Sequence, residues 1–277
     1  MAFNGSLGDI DVGAISKSIA DTAVDVFVYD TRKDSDGGAW RKKTQNTSWY
    51  NETLNTATRG SRRDFPSVAV LVLTSSTLTI YDGDDPDMPM WMVFQFSGNT
   101  AIRSLTTATA TFALNGRLAA CGQEAGGLSY NSGISIVSFI DEKAIWKTNA
   151  HSGIFGLPLS SRNTSGGYGN TAGTSDDGGP KIVSRDCNDV AMTVLPNAPI
   201  DPSTGLPVPT IAVATKTGIS IITDSGTVYN LTPESHPAYA NTKNFFSVGF
   251  DSNQKIFFTD AQNGSAFSQL IYLPTYN

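Results

Sequence analysis

Short apolar runs rich in β-branched residues, each cut off by a turn, constrain the fold of this 277-residue chain more than any other feature. "VDVFVYD" (Val24 to Asp30) and "SVAVLVLT" (Ser67 to Thr74) are two such runs, and the second continues through Ser75-Ser76 into "TLTIYD". Branched side chains of this kind pack well on a pleated surface and lose rotamer freedom in a helix. "TATFALNGRLAACG" (Thr109 to Gly122) folds back about Asn115-Gly116, a pair in which both residues accept the positive φ of a tight hairpin. "GISIVSF" leads into "KAIWKT". "PTIAVATKTGISIITDSGTVYNLT" (Pro209 to Thr232) reads as three strands, and "FFSVGFDSNQKIFFTDAQNGSAFSQLIYL" as three more. Helical periodicity is nearly absent, and only Ile15 to Thr22 suits a short helix.

The units echo one another, with starts near Val24, Val68, Thr109, Asp189 and Phe245. Their spacing of about 40 to 55 residues, with one wider gap, matches the period of four-stranded propeller blades. The predicted fold is therefore all-β, a β-propeller of about five or six blades, with a β-sandwich as the alternative. Residues 1–23 form an N-terminal arm that could close the ring, and 24–277 the propeller domain. Two inserted loops interrupt it. Ser161 to Lys181 has almost no apolar content beyond Tyr168 and reads as a mobile surface loop; Pro196 to Pro209 is proline-spaced and reads as extended.

A net charge of −6 repels phosphate backbones, so nucleic acid is not an expected partner, although Arg59, Arg62 and Arg63 could form a local basic patch. No apolar run approaches the roughly 20 residues that span a bilayer, and the N-terminus lacks the basic and apolar regions of a signal peptide, so membrane insertion is not expected. Cys121 and Cys187 fit no metal or redox motif and read as buried thiols.

Acidic turns are the obvious candidates for chemistry. "YDTRKDSDGGAWRKKT" gathers Asp30, Asp34, Asp36, Gly37, Gly38 and Trp40, and "YDGDDPDMPMW" gathers Asp82, Asp84, Asp85 and Asp87. Asp and Gly cluster wherever a backbone reverses, and the second stretch lacks the bidentate Glu of a calcium loop, having Val93 at that place. Both read as turns, with no metal and no cofactor. With only His151 and His236 there is no hydrolase triad, zinc or phosphate-binding motif, so no catalytic residue is assigned. Asp141, Glu142 and Glu124 are the least turn-like acids and the only candidates for a glycosidase pair. Trp49, Tyr50, Tyr130 and Tyr168 stand in polar surroundings and read as interface or glycan contacts, with gap-filling between blades as the alternative for Trp49 and Tyr50.

Two resemblances follow from these residues. Asp36, Gly37, Gly38 and Trp40 resemble the Asp-box hairpin of sialidase-like propellers, a structural turn, although Trp40 comes one residue early and Asp34 stands in place of a Ser. On a larger scale, "VFVYDTRKDSDGGAWRKKTQNTSWYNETLNTATRGSRRDFPSVAVLV", "IYDGDDPDMPMWMVF" and "NDVAMTVLPNAPIDPSTGLPVPTIAVAT" resemble the N-terminal region of large virion structural proteins of tailed phages infecting marine and other aquatic bacteria. That resemblance implies a non-enzymatic tail structural protein, a hub, nozzle or fibre-attachment module, assembled in the host cytoplasm and carried in the virion. Its implied partners are other phage tail proteins, copies of itself in a symmetric homo-oligomer, and a bacterial surface glycan at host attachment. The alternative is a receptor-binding or polysaccharide-degrading tail adhesin.

Overall fold

A strand with apolar residues on both faces must be covered twice, and the central strands of this protein are of that kind. In the computed structural model, which describes residues 22–103, 105–124, 132–168, 178–232, 244–262 and 265–271, with side chains as far as residue 260, the chain is all-β. The first sheet runs β1 (Asp25–Asp30), β2 (Val68–Leu73), β3 (Thr77–Asp82) and β4 (Met90–Gln95), antiparallel and in chain order. β2, VAVLVL, is buried along nearly its whole length, whereas β3, TLTIYD, alternates buried and half-buried positions. The second sheet is β5 (Thr107–Leu114), β6 (Arg117–Gln123), β7 (Gly133–Ser138), β8 (Ala144–Lys147) and β9 (Ser152–Phe155). Asn115 (φ 52°) and Gly116 (φ 70°) close the β5–β6 hairpin in the left-handed region, as the dipeptide predicts.

The third sheet begins with β10 (Cys187–Thr193) and, after a two-strand ribbon of β11 (Ile200–Asp201) and β12 (Leu206–Pro207), continues through β13 (Thr210–Thr215), β14 (Ile219–Ile222) and β15 (Val228–Leu231). The fourth is β16 (Phe245–Phe250), β17 (Ile256–Gln262) and β18 (Ser265–Ile271). Successive sheets stack through three apolar cores. Trp91, Phe94, Phe139 and Trp146 belong to the core shared by the first two. Cys121, Ile134 and Ile136 meet Val190, Met192 and Val213 in the next, and Ala212, Ala214 and Ile221 meet Phe245, Val248 and Phe258 in the last.

None of the sheets closes on itself, and their stacking is closer to the sandwich alternative than to a ring of five or six blades. Of the five expected unit starts, Thr109, Asp189 and Phe245 fall on the leading strands β5, β10 and β16, and Val24 immediately precedes β1. Val68 does not begin a unit. It opens β2, which pairs with β1 across the intervening residues 31–67, so two expected blades are one sheet. "AWRKKT" is likewise no partner strand of β1, because Ala39–Lys43 forms a 3-10 turn behind Gly38. At Gly38 (φ 78°) a β-carbon would meet Thr31 Oγ1 at 2.8 Å, so the turn needs glycine.

The loops are packed rather than loose. Trp49 is fully buried, its indole N–H donating to the Phe139 carbonyl at 2.8 Å and its ring set edge-on to Trp91 at 5.4 Å. Arg59 and Arg162, also buried, flank Glu52: Arg162 Nη1 donates to Glu52 Oε2 at 2.8 Å, and Arg59 Nε lies 2.9 Å from Glu52 Oε1 at ion-pair distance but out of hydrogen-bond alignment. The remaining guanidinium donors reach backbone carbonyls of Thr58, Arg62, Arg63, Trp91 and Val93. The expected surface loop at Ser161 to Lys181 is exposed at Thr164, Ser165, Gly166, Gly178 and Pro180, but Arg162 and Tyr168 are core groups that anchor it; residues 169–177 lie outside the described residues, as do the arm through residue 21 and almost all of the expected helix at Ile15 to Thr22. Pro196 to Pro209 carries the β11–β12 ribbon, with Leu206 buried in the first core and the Pro207 carbonyl accepting from Asn115 Nδ2 at 3.0 Å.

Trp49→Ala removes a buried ring and orphans the Phe139 carbonyl, and is expected to cost about 3–5 kcal/mol in denaturant unfolding. A loss under about 1 kcal/mol is the outcome for an exposed contact residue.

Candidate functional site

The Asp30–Trp40 stretch is a structural pin. Asp34 is buried, and its Oδ2 accepts from the Tyr29 hydroxyl at 2.5 Å and the Trp40 indole N–H at 2.7 Å, while Oδ1 accepts from the Asn115 N–H at 2.8 Å. The Gly116 N–H in turn donates to the Tyr29 oxygen at 2.8 Å. One carboxylate thus ties β1, its following turn and the β5–β6 hairpin together. Burial raises the Asp34 carboxyl above the usual range even though these donors oppose the shift. Asp36 does what short acidic side chains do in turns, accepting from the Gly38 N–H at 3.0 Å.

The Asp82–Asp87 stretch is a turn exposed from Asp84 to Asp87, with Asp82 buried at its base. Arg62 Nη1 donates to Asp82 Oδ2 at 2.7 Å and to Asp84 Oδ2 at 2.9 Å, at the side of a cleft of about 420 Å³. Asp84 also accepts from the Ser67 N–H, the Ser67 hydroxyl and the Val68 N–H. Burial pushes its carboxyl up, but these donors outweigh that and leave it below the usual range. Among the described residues no three His, Cys, Asp or Glu side chains gather in a way that could hold a metal ion.

The expected basic patch is not one. Arg59 is buried against Glu52 with its guanidinium 4.4 Å from the Trp91 ring centre, Arg62 is held by Asp82, and Arg63 donates to the Tyr50 carbonyl at 2.7 Å. The candidate hydrolase acids do not come together either. Asp141 and Glu142 sit beyond Ser138, which pairs with Arg117, whereas Glu124 follows the far end of β6 beside Arg185. The strand between those ends spans roughly 20 Å at 3.3 Å per residue, well beyond the 5–9.5 Å of paired hydrolase carboxylates. Asp141 is paired with Lys143 at 2.9 Å, and Glu142 accepts from the Ser48 N–H at 2.9 Å. Trp49 and Tyr168 are buried, so neither offers a glycan or partner surface as expected; the Tyr168 hydroxyl donates to the Ala101 carbonyl at 2.9 Å. Tyr50 is half-buried against Trp49, and Tyr130 lies outside the described residues, as does His236. Cys121 and Cys187 are free, buried thiols, with burial pushing Cys121 up to about 12.

A second concave site lies where the four leading strands converge. A cavity of about 320 Å³ is lined by Asp25 and Phe27 of β1, Thr109 and Thr111 of β5, Asp189 of β10 and Ser247 of β16, with half-exposed Val24 and Phe246 beside them. Asp25 Oδ2 accepts from the Thr111 N–H at 2.9 Å, and Asp189 Oδ2 accepts from the Val248 N–H at 2.9 Å. Between them the Thr109 hydroxyl donates to the Cys187 carbonyl at 2.9 Å. Sequence reasoning missed these two acids, although the signal was present: in "VDVFV" and "NDVAM" an Asp interrupts an apolar strand near its start, where a carboxylate needs a specific partner.

No protein-family description matches the chain, and no curated protein matches it. Among solved structures, a glucose dehydrogenase aligns over 74% of this chain and 92% of its own, at 9% identity and a TM-score of 0.20, too distant to carry a functional argument.

Asp84→Ala removes the acceptor of four donors at a partly exposed site and is expected to cost about 1–2 kcal/mol, more than an ordinary surface change. Because the folded-state value of Asp84 is lowered, its stabilisation is present above the unfolded aspartate value and is lost as pH falls through the folded one, so the wild-type and mutant stabilities should converge in acid. Thermal melts with calcium and with chelator should superimpose; a large upward shift on adding calcium reveals metal linkage.

Proposed function

We propose that this chain is a non-enzymatic structural module of a phage tail, a hub, nozzle or fibre-attachment part, carried in the virion and packed against other tail proteins and copies of itself. The observation that carries the reading is how the long connections are built. Residues 31–67 and 156–168 are locked by Asp34, Glu52, Arg59, Arg162 and buried aromatic rings, which makes the loops rigid parts of the body. A rigid body with fixed loops suits repeated assembly contacts, in which symmetry multiplies weak interfaces. The sequence resemblance to virion structural proteins supports the same reading, and the weak Asp-box likeness agrees with a structural role for the acidic turns.

Reconstruction of the particle is the direct test. The chain is expected in the tail at a symmetric copy number, and particles that lack it overturn the reading. For the isolated protein, the adhesin alternative is the outcome if it binds a glycan array or shortens host polysaccharide.

The 161–181 insertion is read as an assembly loop, and its test spares Tyr168, which belongs to the core. Deleting 170–176 with Tyr168 retained is expected to reduce incorporation into particles while the isolated protein still melts cooperatively. Normal incorporation removes this segment from the interface.

A further inference from the structure

A leading strand is hydrogen-bonded to its own sheet on one edge only, and the other edge must find partners elsewhere. In this protein two of those partners are carboxylates. Asp25 reaches from the first sheet to the Thr111 N–H of the second, and Asp189 from the third to the Val248 N–H of the fourth. The two recipients are equivalent. β5 and β16 each slip register near their starts, between Ala108 and Ala110 and between Phe245 and Ser247, and each accepting carboxylate meets the N–H one residue beyond that slip. Both acids line the same 320 Å³ cavity, and among the described residues its lining has no Lys, Arg or His.

We propose that this cavity is a proton-sensitive joint: with one proton on Asp189 the four leading strands pack tightly, and with both carboxylates ionised the cost of a second buried charge and its repulsion by Asp25 loosen the packing of the first and third sheets around the cavity. The protonated Asp189 still offers Oδ2 to Val248, while Oδ1, which accepts only from the neighbouring Val190 N–H at 2.8 Å, takes the proton.

The surroundings single out Asp189. Burial pushes its carboxyl up to about 6, the Asp25 charge adds to the shift, and the N–H groups of Val248 and Val190 oppose it. Burial raises Asp25 as well, against the Thr111 and Val26 N–H groups and the charge of the N-terminal amine, which lower it. Of the strands packed against β10, β5, β13 and β16 bring no titratable side chain, and β6 brings Cys121, whose thiol stays neutral, and Arg117, paired with Asp201 at 2.9 Å. On the approach to β10 itself, Asp186 faces Lys216 at 3.9 Å. The folded-state value of Asp189 lies above the 3.8 of a free aspartate, so its contribution is full below that value and is lost as pH rises through about 6. Carboxylates with lowered values, such as Asp84 and Asp141, act in the opposite sense in more acidic solution, which confines the effect of the joint to the window from pH 5 to 7.

The test is the melting temperature of the full chain across that window. The wild type should lose roughly 3 °C between pH 5 and 7, and Asp189→Asn should flatten the profile. Asp25→Asn should move the midpoint to lower pH by relieving the repulsion. A flat wild-type profile, or an unchanged slope in Asp189→Asn, overturns the proposal. Should Asp189→Asn fail to fold, carbon-13 titration of the wild-type carboxyls decides: a midpoint for Asp189 near 6 supports the joint, and one below about 4.5, in the ordinary aspartate range, overturns it.

Discussion

The unpaired edge of each leading strand is the constraint on which the rest of this structure depends. β1, β5, β10 and β16 begin their sheets, and each hydrogen-bonds one partner strand of its own sheet. Left bare, such edges invite pairing with other chains. Here they turn toward one another and are bridged by short side chains: Asp25 to Thr111, Thr109 to Cys187 and Asp189 to Val248. The bridges fix the distance between neighbouring sheets, and that distance lets Ile134, Val190, Ala212 and Val248 meet in successive cores.

A second layer of polar bonding holds the connections. Two buried arginines around one glutamate would be poor stabilisers if left incomplete, because desolvating three charges is costly. Arg59 and Arg162 offset that cost by donating to carbonyls of residues 58–63 and 91–93. The result is specificity of loop path more than net stability. Asp34 plays the same part between β1 and the β5–β6 hairpin. Acidic residues that look like ligands in the sequence are in these places acceptors for the protein's own donors.

Much of the candidate chemistry was illegible in the sequence for one reason: a polar side chain's role depends on which segment lies opposite it. Trp49 sits among Asn, Thr and Ser, yet Phe139, some ninety positions later, supplies the carbonyl and ring edge that bury it. Arg59, Arg62 and Arg63 look like a basic surface until Glu52, Asp82 and the Tyr50 carbonyl are brought to them. The central pair Asp25 and Asp189 lies far apart in the chain, and only the convergence of β1 and β10 makes one cavity of them.

Local pattern alone determined the strands. β-branched runs, the Asn115-Gly116 turn and the near absence of helical periodicity lead to an all-β chain, and Thr109, Asp189 and Phe245 mark true leading strands because strand preference and tight turns are set by neighbouring residues. Tertiary structure decided how many sheets those strands make. β1 passes over residues 31–67 to pair with β2, a choice settled by register and burial rather than by sequence distance. It decided equally that Tyr168 and Trp49 lie inside, since burial is a property of the assembled surfaces, and a single side chain carries no record of what will cover it.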